Sequence, residues 1–220
     1  MILVTGGTSR MQFTGSCNCD CSREGGAHTE GSEIIQLQDF RTATVEDIAS
    51  VHSRSYVFGL EKTFQESLIA AGAGLSLVDH VVAASKVSQI PAIGFALIRP
   101  PGHHAVPKGP MGFCVFGNVA IAARYAQRAS GLQRVFIIDF DVHHRNGTND
   151  VFYDDPDIFF LSTHQEGSYP GTGKIDNIGC GNGEGAMLNL PLAKDGQVIL
   201  PCRPCLMKSL YRLPKDLSLI

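Results

Sequence analysis

Val135-Phe136-Ile137-Ile138 is a run of four apolar residues that leads straight into Asp139-Phe140-Asp141-Val142-His143-His144. An unbroken apolar run of this kind predicts a strand buried on both faces, as in a parallel sheet. Such a strand, ending in carboxylates and imidazoles, carries polar groups to the carboxyl edge of the sheet. Open α/β sheets place their active sites at that edge. Asp141 and His143 are two residues apart, so an extended backbone points them to the same side. A carboxylate oxygen and an imidazole nitrogen on one side are two donors of a mixed metal site. They are equally the polar end of a strand that caps a neighbouring helix, and this stretch alone does not separate the two.

A second stretch bears on the choice. Pro91 to Pro100 (PAIGFALIRP) reads as another apolar strand, and Gly102-His103-His104-Ala105 follows it. A lone histidine is more often structural than a ligand. Two His-His pairs, each just past a buried strand, are harder to reach by chance.

The motifs RPPGHHA (99–105), GFC (112–114), IDFDVHH (138–144), NGT (146–148), STH (162–164) and PGTG (170–173) occur in this order. Together they resemble the zinc-dependent histone deacetylase family. The resemblance is to its class II-like branch, which includes plant deacetylases and is similar to acetylpolyamine amidohydrolases. It covers roughly Ser32 to Leu192. It implies the arginase/deacetylase fold: an α/β parallel sheet with helices on both faces, its C-terminal part missing here. The domain division expected is 1–31 disordered or unrelated, 32–192 a partial deacetylase domain, and 193–220 a divergent tail.

The resemblance also implies roles. Asp141 and His143 match two zinc ligands. His104 matches the general base, and His103 its partner in proton transfer. Asp139 is expected to orient His103, and Asn146 to orient His104. The amide of Asn146, where some branches carry Asp, is expected to leave His104 less basic, because a neutral partner stabilises imidazolium less. Phe113 and Tyr169 match two aromatic walls of a substrate tunnel, and the Gly112 carbonyl an acceptor for the substrate amide N–H. A monovalent cation, potassium, is implied at Asp139, Asp141, His143, Ser162 and Thr163. The implied activity is removal of acetyl groups from acetyl-lysine of histones or other proteins, or from small acetylated amines.

Some features depart from the family. Its third zinc ligand is an aspartate on a later strand, and a catalytic tyrosine follows. After Cys180 the only aspartates are Asp195, in a turn-like Lys-Asp-Gly, and Asp216, in a polar tail; Tyr211 lacks a Gly-rich setting. Arg145 replaces a glycine, with strain expected if that position needs φ > 0. Leu60-Glu61-Lys62 runs directly into Thr63-Phe64-Gln65, where relatives carry an extra segment. The expectation is a truncated or alternatively spliced product with impaired catalysis. The alternative is a non-catalytic regulatory protein that keeps part of the fold, with a protein partner covering the open sheet edge.

Composition narrows the rest. At 220 residues, 44% hydrophobic and 18% charged, the chain suits one ordinary α/β domain. A net charge of −3 indicates no basic face for nucleic acid. The sequence shows no apolar run of about 18 residues of the kind that predicts a membrane span. Seven cysteines beside His-rich motifs suggest free thiols in a reducing compartment, cytoplasm or nucleus. Cys17, Cys19 and Cys21 alternate, a spacing unlike CxxC-type zinc sites. Residues 1–27 read as loose coil. A plastid or mitochondrial transit segment is the alternative there, with few arginines and with Asp20 and Glu24 against it.

Local patterns complete the reading. Glu33 to Leu37 suggests a short strand. Thr44-Val45-Glu46-Asp47 resembles a capping box, with a helix to about Val51. Thr63 to Lys86 predicts a long helix with Phe64, Leu68, Leu75, Val78 and Val82 near one face. A helix from Asn118 to about Ala129 should stop at Gly131. Ile158 to Ser162 and Met187 to Leu190 read as further strands.

Overall fold

The computed structural model describes residues 4–5, 41–59, 64–89 and 92–193. The strand expected at 33–37, the Cys17-Cys19-Cys21 cluster, residues 60–63, and Asp195, Tyr211 and Asp216 lie outside them. In chain order the elements are β1 (Val4–Thr5), α1 (Val45–Ala49), α2 (Arg54–Phe58), α3 (Phe64–Val87), β2 (Leu97–Ile98), α4 (Asn118–Ser130), β3 (Val135–Asp139), α5 (Asn146–Val151), β4 (Ile158–Gln165) and β5 (Met187–Leu192).

The capping box is formed. The Thr44 side chain accepts from the Asp47 N–H, and the Asp47 carboxylate accepts from the Thr44 N–H at 2.9 Å. That carboxylate also takes Arg41 at 2.7 Å and Arg128, from the last turn of α4, at 2.6 Å. One buried acid therefore starts α1 and ties it to α4. Gly131 ends α4 in the left-handed conformation at φ 69°.

α3 departs from the single apolar stripe expected of it. Every residue from Ala70 to Val78 is buried, so the helix is enclosed on all sides along its middle. Gly72 makes this enclosure possible, since a Cβ there would lie 2.4 Å from the Arg41 carbonyl oxygen. The Ala-Gly-Ala-Gly run thus marks close packing and not a break. By length and composition α3 is apolar enough to cross a membrane, contrary to the sequence reading that no such run exists. Its burial against α4 and the 41–43 segment identifies it as a core helix.

β3, β4 and β5 form a parallel three-stranded sheet in that order, with Ile137 beside Phe160 and Phe160 beside Met187. These residues meet Ile48, Leu75, Phe116 and Ile121 of the helical side in one core. The expectation that β3 is buried on both faces is not met. Ile137 is buried, but Ile138 is 52% exposed, and Phe140 and Val142 beyond it are 70% and 49% exposed. The pattern is the alternation of a strand with one packed face and one open face. The strand expected over 91–100 shrinks to Leu97–Ile98, paired in parallel with Val4–Thr5. That pairing also places one short strand inside the segment expected to be loose coil. α2 and α5 were not foreseen; both are too short to show a period.

Candidate active site

Two loops carry the polar residues, and a glycine joins them. β3 ends at Asp139, and the chain turns through Asp141 and His143 into α5. There a Cβ on Gly147 would lie 2.3 Å from the Ala105 carbonyl oxygen and 2.8 Å from that of His103. Only a glycine lets α5 sit directly on the backbone of the first His-His pair. The Thr148 N–H donates to the His103 carbonyl at 3.3 Å, which fixes the contact.

His103 and His104 are both buried, with ring centroids 4.2 Å apart. His104 Nδ1 lies 2.8 Å from Asn146 Oδ1. Its ring meets His143 at 6.0 Å and Tyr169 at 5.1 Å. Burial pushes the His104 imidazole below its ordinary range; the Asn146 hydrogen bond works against that shift and nearby His143 adds to it. The imidazole is therefore neutral near neutral pH. His143 Nδ1 lies 3.1 Å from Asp141 Oδ1, so these two residues do face the same side.

Cys114, which sequence reasoning did not single out as a site residue, supports the histidine pair. Its fully buried sulfur accepts the backbone N–H groups of His103 and His104, each at 3.3 Å. Burial raises the thiol to about 11, so it stays protonated. The signal in the sequence was its place in GFC, but a sulfur acceptor for two backbone donors leaves no spacing rule to find it by.

Gly112 and Phe113 are the two central residues of a turn closed by Met111 and Cys114, which exchange both backbone hydrogen bonds. Both have positive φ, 54° and 64°, as a type I′ turn requires. Glycine adopts this readily and is needed besides, since a Cβ on Gly112 would lie 2.5 Å from the His104 ring. Phenylalanine does so only under strain. Phe113 is 95% exposed and Tyr169 47% exposed.

Asp139 does not reach His103. Its Oδ1 accepts the Asp141 N–H at 3.0 Å and faces Arg145 Nε at 2.5 Å, while His103 Nδ1 is buried without a hydrogen-bond partner. Arg145 adopts φ −86°, so the expected backbone strain is absent. Its buried guanidinium also lies 3.4 Å from Asp141 Oδ2. Burial pushes the Asp139 carboxyl up, to about 8, and the Arg145 guanidinium down, to about 9. The opposite charges at 2.5 Å act against both shifts. Ser162 is the β4 partner of Asp139 in register, with Thr163 next to it, but the Ser162 hydroxyl is turned to His164 at 3.0 Å.

The region matches a family model described as the histone deacetylase domain over residues 60–199. The chain belongs to the histone deacetylase family. It is 63% identical to Histone deacetylase 14, chloroplastic, of Arabidopsis thaliana, over 78% of this chain and 49% of that protein. It is 63% identical to Histone deacetylase 10, chloroplastic, of Oryza sativa subsp. japonica, over 74% and 42%. It is 40% identical to the rat Polyamine deacetylase HDAC10, over 79% and 30%. The crystal structure of the HDA15 HD domain superposes with a TM-score of 0.62 at 30% identity, over 70% of this chain and 48% of that one. The chain thus spans about half the length, or less, of the relatives it matches.

Asp141 and His143 suit zinc in donor type. In number and charge the set does not fit a catalytic ion. Among the described residues no group of three or more His, Cys, Asp or Glu side chains is placed to hold a metal. A buried guanidinium already faces both carboxylates.

Proposed function

We propose that these residues form part of the site of a zinc-dependent amidohydrolase that removes acetyl groups from acetyl-lysine or from small acetylated amines. The observation that carries this is His104, held 2.8 Å from Asn146 beside His143 and Tyr169. The Asn146 carbonyl oxygen can only accept, so the His104 proton sits on Nδ1. Nε2 is left with a free lone pair, ready to take a proton from water. Burial keeps that imidazole neutral, as a general base must be. The Gly112 carbonyl would receive the substrate amide N–H, with Phe113 and Tyr169 flanking the acyl-bearing chain. Zinc, if Asp141 and His143 held it with a further donor, would supply Lewis-acid chemistry.

With two donors among the described residues where catalytic sites usually have three, slow catalysis by this chain is the expectation. The names of the plant and rat relatives support both protein and polyamine substrates, and those of the two plant relatives support a plastid. The test is the purified 220-residue chain, supplied with zinc, on an acetyl-lysine peptide and an N-acetylated polyamine, followed by mass spectrometry. We expect hydrolysis above the blank but below ~1 s⁻¹, the low end of ordinary enzymes, and its loss in His104→Ala. Hydrolysis that survives His104→Ala would sink the assignment of the base. Turnover of ~1 s⁻¹ or more would sink the impairment.

A second reading, a non-catalytic binding protein, is favoured by the exposed Ile138, Phe140 and Val142, which form an apolar strip along the open face.

A further inference from the structure

Arg145 is the side chain in the site that neither proton transfer nor substrate binding uses. It is 8% exposed, and its guanidinium lies across the carboxyl end of β3, facing Asp139 Oδ1 at 2.5 Å and Asp141 Oδ2 at 3.4 Å. Asp141 Oδ1 meanwhile faces His143 Nδ1 at 3.1 Å. The one carboxylate that would bind a metal together with His143 thus already faces a cation on its other side. We propose that Arg145 is an internal cation that competes with a divalent metal for Asp141 and keeps this site metal-poor; the inference rests on reading Asp141 and His143 as zinc donors.

The chemistry supports competition and not assistance. A guanidinium does not give up its charge in a protein, has no lone pair to offer a metal, and carries five N–H donors shaped for carboxylates. A metal bound about 2 Å from a carboxylate oxygen of Asp141 would sit within a few ångströms of that charge, which is itself buried although Asp141 and His143 are partly exposed. The guanidinium on Asp141 Oδ2 opposes an ion held at Oδ1 beside His143 unless it moves away. A second trace of the same diversion is visible next door. Asp139 is turned to Arg145 and to the Asp141 N–H, and His103 Nδ1 is left buried with no partner. A neutral residue at 145 would release both carboxylates, Asp141 to the metal and Asp139 to His103.

The test is zinc titration of the full 220-residue chain by isothermal calorimetry, with folding checked by circular dichroism. Wild type is compared with Arg145→Gln, which keeps a polar side chain with two N–H donors but not the charge, with Arg145→Gly, and with Arg145→Lys, which keeps the charge. The expected result is zinc affinity raised roughly 10–100-fold in the Gln and Gly variants, the range seen when groups around metal ligands are altered. Lys should bind as weakly as wild type, and adding Asp141→Asn to Arg145→Gln should abolish the gain. A folded Arg145→Gln with wild-type zinc affinity overturns the proposal. If in that case Asp141→Asn still removes the zinc, the zinc reading stands without it. No zinc in any folded variant overturns both.

Discussion

Asn146 and an aspartate differ by one charge at nearly constant shape, which makes Asn146→Asp a clean probe of His104. A carboxylate 2.8 Å from Nδ1 would stabilise imidazolium, so the His104 pKa should rise above its wild-type value, followed by NMR titration of the ring protons. An unchanged or lower value would mean that the two side chains do not pair in solution. Phe113 offers a different probe. It is 95% exposed, yet its backbone is left-handed. Phe113→Asn, a residue that tolerates this conformation, should raise unfolding stability by about 1 kcal/mol while weakening substrate binding. His52 reports on pH. Its Nε2 accepts the Gly117 N–H at 3.0 Å, and its Nδ1 donates to the Val106 carbonyl at 3.1 Å. Burial lowers it from 6.5 to about 4, so it is neutral in the fold and takes up a proton on unfolding anywhere between those values. The unfolded chain binds more protons as pH drops through that window. Stability should therefore fall from pH 6.5 to 4, by about 1.4 kcal/mol per pH unit for one such group. Melting temperatures across that range should drop in wild type and drop less steeply in His52→Gln, where His144, His104 and His164, also lowered by burial, still contribute. At this scale the sequence made the histidine pairs and Asn146 legible, because motif order carries them. The destination of Arg145 was not, since a side chain that folds back onto residues four and six positions earlier leaves no periodic signal.

At the scale of elements, local chemistry was readable wherever it was self-contained. The capping box and the Gly131 stop each depend on a few neighbouring residues, and both formed as their spacing implied. Thr44→Ala should cost about 1 kcal/mol in chemical denaturation by removing the cap. α3 was readable in extent but not in environment. A single stripe was expected, and the helix is enclosed along its middle because α4 and the 41–43 chain cover different sides. That enclosure makes Gly72 sensitive: Gly72→Ala should destabilise by about 1–3 kcal/mol, since the new methyl meets backbone and not a movable side chain. A variant as stable as wild type would show that the 41–43 segment yields. β2 was overestimated because apolar runs next to prolines look alike whether or not a partner strand is present.

At the scale of the molecule, the parallel sheet was legible from apolar runs alternating with helices. The burial of its two faces was not, because burial depends on which surfaces meet and not on the run itself. Ile138, Phe140 and Val142 form an open apolar strip, so Phe140→Asp should raise solubility and reduce concentration-dependent scattering without lowering the melting temperature. The close fit of Gly147 against the His103–Ala105 backbone has a consequence in time. His104 and Asn146 are 42 residues apart in the chain. At roughly 5–20 residues per second, a ribosome needs about 2–8 s to deliver the second loop after the first. For that interval the histidine pair has left the ribosome without the turn that supports it. Site assembly therefore waits on synthesis, and a slow stretch of translation between the two loops would lengthen the exposure of an unsupported, apolar-flanked segment.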